Sequence, residues 1–196
     1  MDPVWVEALL SLGVGVGLAA AAGLRVFLPL LLLGSAARLG WLPLTGGFEW
    51  LASGVGLGTL GVATVLEIGA YYVPWIDNLL DIVAGPSAVV AGVVATAAVT
   101  TDLPPPVRWA AAIIAGGGTA GLVQSVTSVA RLKSSALTGG LGNPLLATLE
   151  WAGALVTSLL AIVFPMVAIL IVVSTAVLAR WATRRFFPRP RVTHTS

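Results

Sequence analysis

The sequence predicts an all-α protein, a polytopic integral membrane helix bundle. Hydrophobic residues make up 58% of the 196 residues, charged residues only 9%, and the mean hydropathy is +1.01, which soluble domains do not approach. The apolar runs are long and rich in Ala, Leu, Val and Gly, whereas membrane strands alternate polar and apolar residues over about ten positions. We therefore expect five to six spanning or partly spanning helices, some broken, in a lipid bilayer.

The first apolar block, residues 4–39, is too long for one span. A single helix of this length would extend about 54 Å, against a hydrocarbon core of about 30 Å. Gly23 and Pro29 offer an interruption, which predicts a spanning helix over 4–22 and a shorter piece after it. No positive charge precedes this block, so we expect it to stay as a transmembrane helix rather than be cleaved as a signal peptide.

Three further elements complete the first half of the chain. A helix is predicted from Phe48 to Val73, and Pro74 separates it from a short acidic helix because proline disfavours helix in the residue before it. Pro86 is expected to begin another span, which ends near Thr101.

The second half opens with a helix over 107–122, interrupted or loosened at the glycines 116–118. The segment 124–135 is too polar to face lipid, so it is either buried in protein at membrane depth or an amphipathic loop outside the membrane. Pro144 turns the chain into a last apolar block, in which Pro165 is either a kink or the junction of two pieces. The predicted organisation is a first helical half (1–101), a Pro-rich connecting loop (102–106), a second helical half (107–187) and a mobile basic tail (188–196).

Charge is distributed unevenly along the chain. Five of the ten basic residues lie in the last seventeen positions, which leaves five basic against eight acidic residues elsewhere. Arginines just beyond a transmembrane helix mark the cytoplasmic side, so we expect a multi-pass protein of a prokaryotic inner membrane with a cytoplasmic C-terminus. No aromatic interleaving accompanies this cluster, which argues against nucleic acid as a partner. The cluster consists of Arg180, Arg184, Arg185, Arg189 and Arg191.

The acidic segment 67–81 is the strongest candidate for a binding site. Carboxylates are expensive within a bilayer, at about 2.5–3.5 kcal/mol each on insertion scales, and usually face a cavity or a partner. Asp77 and Asp81 are four residues apart and share a helix face with Asn78, while Glu67 ends the preceding helix. The alternative is a short interfacial helix whose carboxylates face water.

Arg25 is the only cation far inside an apolar block. It either extends to an interface or pairs with a carboxylate, for which Glu49, Glu67 and Glu150 are the candidates. The complete candidate ion or substrate site comprises Glu67, Asp77, Asn78, Asp81, Arg25, Glu49, Asn143 and Glu150.

Small residues at spacings of three to four recur in three predicted helices. Such stripes allow close helix packing, and we expect them to serve helix contacts, including those of a homo-oligomer. None resembles a phosphate loop, because no strand and no following Lys-Ser/Thr accompanies them. The stripes lie at Gly13 to Gly17, Gly54 to Gly61 and Gly117 to Gly121.

An internal two-fold repeat is also predicted. The segment 37–47 matches 130–140 at an offset of 93, with Ala-Arg-Leu followed by Leu-Thr-Gly-Gly in both. Glu49-Trp50 and Glu150-Trp151 follow the two copies. Many secondary transporters consist of two such halves, with binding sites where helices are broken.

The runs Gly23 to Leu33, Glu67 to Asp81 and Leu137 to Pro144 together resemble a bacterial multi-pass membrane protein family catalogued as domain of unknown function 4126. The resemblance covers roughly 8–173 and implies a helical membrane fold without an established activity. Relatives often carry Asp-Lys where this chain has Tyr71-Tyr72.

These features favour transport of a small cation or cation-coupled solute through the acidic site, because carboxylate and amide oxygens bind hard cations or relay protons. The alternative is a non-catalytic structural or assembly subunit of a membrane complex. We do not expect an enzyme, a cofactor or a structural metal, because the chain has no cysteine and its one histidine, His194, lies in the tail.

Overall fold

The computed structural model describes residues 3–70, 74–167, 170 and 174, with the side chains of 5–70 and 83–167 among them. Every regular element in this part of the chain is helical, as the sequence predicts. The elements are α1 (Pro3–Ala22), α2 (Phe27–Arg38), a 3₁₀ turn (Glu49–Ala52), α3 (Gly54–Ala70), α4 (Pro74–Val99), α5 (Pro105–Ala111), a π-helical segment (Ala112–Gly117), α6 (Gly118–Thr138) and α7 (Asn143–Val163).

The break in the first apolar block is confirmed. α1 ends at Ala22 and α2 begins at Phe27, so the intervening four residues interrupt the helical hydrogen bonds. Gly23 permits this break to lie in the core, because a methyl group there would come within 2.6 Å of the Ala120 carbonyl oxygen.

Two expectations about helix boundaries were wrong. Pro86 does not begin a span but lies inside α4, which continues through it from Pro74 to Val99. Ala88, Ala91 and Ala95 beyond the proline are all buried, and their packing outweighs the hydrogen bond that proline lacks. The helix predicted from Phe48 also starts later, since only a 3₁₀ turn precedes Gly54.

The glycine-rich stretch in the second half loosens its helix and does not interrupt it. The chain stays helical from Pro105 to Thr138 and passes through the π-helical segment instead. Gly116 explains the close packing there, because a methyl group on it would come within 2.6 Å of the Gly92 carbonyl oxygen of α4. A local π bulge is a common way to accommodate such a contact.

Pro165 marks a junction rather than a kink. α7 ends at Val163, Phe164 leaves the helical conformation with φ −132° and ψ 70°, and helix resumes at Pro165. Proline at this point disfavours helix in the residue before it. The predicted tail 188–196, its arginines and His194 lie outside the described residues.

α1 lies at the centre of the bundle and packs most extensively against α4 and α7. Its second half is almost fully enclosed, with Leu18, Ala19 and Ala21 inaccessible to solvent. Small residues bring the helices close, since a methyl group on Gly15 would meet Thr96 of α4 at 2.9 Å. The Gly117 to Gly121 stripe packs on Val89 and Val93 in the same way.

The buried and exposed faces of α6 indicate whether water or lipid surrounds the bundle. Its polar residues Gln124 and Arg131 are buried, whereas Leu122, Val126 and Leu132 on the opposite side are more than 60% exposed. A helix in water has the reverse arrangement. The outward face of α6 is mostly apolar, which indicates lipid, and it also carries the exposed Ser125 and Lys133. Of the two alternatives for 124–135, burial in protein fits the polar face that contains Gln124 and Arg131.

Three helical stretches in the described ranges are long and apolar enough to cross a membrane: Trp5–Ala22, Pro105–Thr138 and Asn143–Val163. Three more apolar stretches are shorter, Phe27–Arg38, Gly54–Ala70 and Val83–Val99. The chain is thus a helical membrane bundle that combines full-length spans with shorter pieces.

The two copies of the predicted repeat have different structural environments. Arg38 is exposed at the end of α2, whereas the corresponding Arg131 is buried within α6. Gly47 and Gly140 both adopt a positive φ, near +90°, which favours glycine. The duplication stays a prediction.

Candidate functional site

Arg25 lies in the break between α1 and α2 and is only 2% exposed. Its Nη2 donates to the Glu150 carboxylate of α7 at 3.0 Å and to the Ala147 carbonyl oxygen at 3.0 Å. A helix break places this side chain in the core because the chain turns there between two packed helices. Glu49, Glu67 and Glu150 were the candidate partners of Arg25. Within the part of the chain that the structure describes, Arg25 donates a hydrogen bond to Glu150.

Arg131 of α6 approaches the same carboxylate from another direction. Its Nε donates to Oε1 of Glu150 at 3.0 Å, and its Nη2 donates to Oε2. This two-point contact uses the planar guanidinium fork, which lysine cannot reproduce. Arg131 and Glu150 are 4% and 8% exposed, respectively, so the three residues form a buried cluster. We call Arg25, Arg131 and Glu150 the charged cluster.

Glu67, near the end of α3, binds the start of α2. Its carboxylate accepts hydrogen bonds from the backbone N–H groups of Val26 at 2.8 Å and Phe27 at 3.1 Å. These amides have no intrahelical partner, and no side chain from the start of α2 itself caps them. Glu67 therefore caps the positive end of α2. The capped amides directly follow Arg25 in the chain, and the Glu67 carboxylate interacts electrostatically with Arg25 and Glu150.

A polar face of α6 extends on both sides of Arg131. Gln124 donates to Ser128 at 3.3 Å, and Asn143 at the start of α7 donates to Ser135 at 3.0 Å. The helical period places Gln124, Ser128, Arg131 and Ser135 on one side, over about 17 Å of helix. Hydrogen-bonding groups thus follow the interior side of α6 past the charged cluster.

The family model described as a domain of unknown function (DUF4126) matches residues 12–185. The chain belongs to this family. No curated protein and no solved structure matches it. In this DUF4126 chain the match includes every member of the charged cluster, Glu67 and the acidic helix start.

The predicted site residues of this DUF4126 protein fall into four groups. Arg25, Glu67 and Glu150 come together. Asn143 is linked to the end of α6 through Ser135. Glu49 is exposed at the start of the 3₁₀ turn before α3, where it accepts a hydrogen bond from the Gly47 backbone N–H at 2.7 Å, and it does not join the cluster. Asp77, Asn78 and Asp81 lie in the first turns of α4, and their side chains lie outside the described part of the chain.

Arg131 was missing from the predicted site. The sequence places it in the polar segment 124–135, for which burial and a surface loop were both open. The signal that identifies it is the spacing of Gln124, Ser128, Arg131 and Ser135, which gives one polar face between apolar residues. In a membrane helix, such a face points inward.

Proposed function

We propose that this protein transports a small cation or a cation-coupled solute, and that the binding site lies at the charged cluster and Glu67. One observation supports this proposal most strongly. The charged side chains of Arg25, Arg131 and Glu150 are at least nine-tenths buried, whereas many large apolar side chains lie on the outside of the bundle. Ionisable groups placed this way in membrane proteins usually belong to substrate or ion pathways.

The helix break supports a site at this position. Transporters commonly bind ions and solutes where spanning helices are discontinuous, because free backbone groups and helix ends supply ligands. Here the break between α1 and α2 carries Arg25, which binds Glu150, and the Val26 and Phe27 amides, which bind Glu67. A proton taken up by Glu67 would weaken its hold on these two amides.

The two arginines favour a coupled solute over a bare metal cation. Guanidinium groups repel a metal ion strongly in a medium of low dielectric constant. A proton differs, because it binds directly to a carboxylate oxygen and removes its charge. We therefore favour the proton as the coupling cation and Glu67 as its acceptor.

The membrane arrangement is part of the same proposal. A multi-pass topology in a prokaryotic inner membrane, with a cytoplasmic C-terminus, is supported by the arginines between 180 and 191. Catalysis forms no part of the proposal.

Thermal stability of the purified protein in detergent tests the binding step. Wild type is compared across pH 5–8 and with Na⁺, K⁺, Li⁺ and Mg²⁺, beside Glu67→Gln, Asp77→Asn plus Asp81→Asn, and the exposed control Glu7→Gln. A ligand at a hundred times its Kd stabilises by about 2.7 kcal/mol. We expect a cation or proton response in wild type and Glu7→Gln that Glu67→Gln lacks; identical responses in all variants would refute the site.

An assembly role is the second candidate, and the outer face of α3 favours it. Nothing lies within 4 Å of a methyl group placed on Gly58 or Gly61, while Val62 and Val65 beside them are more than 60% exposed. Small residues on an open helix face allow another helix to pack closely. A single oligomeric species in mild detergent that Gly61→Leu converts to monomer would favour this role; a monomeric wild type would count against it.

A further inference from the structure

The outward side of α3 carries an open groove. Its volume is about 410 Å³, within the range of about 300–1,000 Å³ that is usual for ligand sites. Gly58 and Gly61 form its floor, since nothing lies within 4 Å of a methyl group placed on either one. The lining residues are Leu57, Gly58, Gly61, Val62, Val65 and Leu66. All of them are apolar, so the part of a ligand that lies in the groove is apolar too.

The groove has the length of a lipid acyl chain within one leaflet. It extends along α3 from Leu57 to Leu66, which corresponds to about 14 Å at 1.5 Å per residue. One leaflet contributes about 15 Å to a hydrocarbon core of about 30 Å. Val62 and Val65 beside the glycines are more than 60% exposed, as expected for side chains that contact lipid.

A cation lies close to one end of the groove. The Arg38 side chain extends from the end of α2 over the start of α3, since a methyl group on Gly54 would lie 3.9 Å from its Nη1. Nη1 donates to the Ala52 carbonyl oxygen at 3.2 Å, and the exposed guanidinium has further N–H groups. Among the described residues Arg38 forms no ion pair, and Glu49 in the same 3₁₀ turn as Ala52 binds the Gly47 N–H instead. The guanidinium can therefore bind an anion about one helical turn before the groove begins.

This end of the bundle has the composition of a membrane interface. Trp41 and Trp50, on either side of the loop that follows α2, are at least half exposed. Trp109 of α5 contacts Phe48 of the same loop, with ring centroids 6.2 Å apart. Tryptophan is enriched at the level of the lipid headgroups. Arg38 thus lies where lipid phosphates are found, and the groove leads from it toward the membrane centre.

We propose that this protein binds an anionic phospholipid, with the phosphate on Arg38 and one acyl chain in the α3 groove. The inference goes beyond the proposed transport and does not depend on it. A zwitterionic lipid binds less well, because its ammonium group would lie near the guanidinium. A second copy of α3 is a poorer occupant. In a two-fold dimer about the membrane normal the same surface faces itself, which would bring two Arg38 side chains to one end of the interface.

Native mass spectrometry of the purified full chain in detergent tests the proposal. The probe is phosphatidylglycerol, and phosphatidylethanolamine with the same acyl chains is the zwitterionic comparison. Glycerol 3-phosphate and diacylglycerol supply the headgroup and the chains separately. We expect one phosphatidylglycerol per chain, bound at least about fivefold more tightly than phosphatidylethanolamine, the factor that one cation near an anionic lipid contributes. Neither fragment should bind as tightly.

Matched variants locate the lipid. Arg38→Gln should weaken phosphatidylglycerol binding at least about fivefold, and Arg38→Lys, which keeps the charge, should recover most of the affinity. Lys133→Gln removes an exposed charge from α6 and should have no effect. Gly61→Leu fills the groove and should weaken binding by a similar factor, whereas Thr59→Leu, exposed on α3 outside the groove, should not.

Equal retention of both phospholipids in wild type and all variants would overturn the proposal, because it would show only the general lipid layer around the bundle. Glycerol 3-phosphate or diacylglycerol that binds as tightly as phosphatidylglycerol would overturn it as well. So would a wild-type oligomer that excludes phosphatidylglycerol and that Gly61→Leu dissociates, since a second copy would then occupy the groove. Should Gly61→Leu not fold, the Arg38 variants and the comparison of the two phospholipids still decide the matter.

Discussion

Arg131 of α6 and Glu150 of α7 are joined at two points, with Nε donating to Oε1 at 3.0 Å and Nη2 donating to Oε2. Arg25 adds a third contact to the same carboxylate at 3.0 Å. This carboxylate therefore connects α6, α7 and the break between α1 and α2. We therefore expect a substitution at Glu150 to lower the free energy of unfolding more than a substitution at either arginine.

Glu150→Gln should be the most destabilising change in the cluster. It removes the carboxylate charge that both buried guanidinium groups bind, and breaking a buried ion pair costs about 3–5 kcal/mol. Arg131→Gln should cost less, about 1–3 kcal/mol, because Arg25 still binds Glu150. Reversible unfolding in detergent measures both free energies, with Glu7→Gln as the surface control. An equal or larger loss for Arg131→Gln would contradict this ordering.

Glu67→Gln should loosen the start of α2. The neutral amide accepts more weakly from the Val26 and Phe27 N–H groups, and loss of a charged cap costs about 1 kcal/mol. Hydrogen exchange measured by mass spectrometry on peptides covering the break should show faster exchange at these amides. Unchanged protection there would show that Glu67 does not hold the α2 terminus.

Glycine substitutions should separate packed from open helix faces. Gly116→Ala forces a methyl group to within 2.3 Å of the Thr96 hydroxyl oxygen, and overpacking of this kind costs about 1–3 kcal/mol. Gly61→Ala meets nothing within 4 Å and should be neutral or stabilising by up to about 1 kcal/mol, from helix propensity. Thermal midpoints in detergent compare the two. Similar effects at both positions would refute the packing of α4 on the π-helical segment.

Cysteine labelling should locate the outer face of α6 in lipid. The chain contains no cysteine, so a single introduced thiol reports its own position. Val126→Cys on the apolar face should resist a water-soluble maleimide in sealed vesicles, since a thiolate does not form in hydrocarbon. Asp102→Cys in the exposed loop should react once its side of the membrane is accessible. Rapid labelling of Val126→Cys from water would contradict the membrane placement of α6.

The sequence predicts much of this fold because its signals are local. The break after Ala22 and the turn before Pro144 depend on glycine and proline, whose backbone effects act within a few residues. At Pro165 the same reasoning left a kink and a junction both open. Pro86 shows the limit of that reasoning, since the same residue type lies inside α4 where packing with α1 stabilises the helix. Local propensity cannot indicate which outcome holds without the partner helix.

The site was predictable only in part, for a related reason. Arg25 stands out as a cation within an apolar block, and pairing with a carboxylate follows from the high free energy of an isolated charge in a membrane. Which carboxylate binds it depends on the path of the chain between residues 25 and 150. Arg131 was harder to predict as a site residue, because a polar helix face that points into the protein has the same periodicity as one that points into water.

Solute-driven proton uptake into proteoliposomes tests the transport role of the charged cluster most directly. Vesicles loaded with a pH-sensitive dye and diluted into a panel of small neutral, cationic and anionic solutes should acidify inside for at least one solute with wild type and with Glu7→Gln. They should not do so with Glu67→Gln, whose neutral side chain cannot gain the coupled proton, or with Arg131→Lys. Equal proton fluxes in all four proteins, or none above empty vesicles in any of them, would contradict a transport role for this cluster.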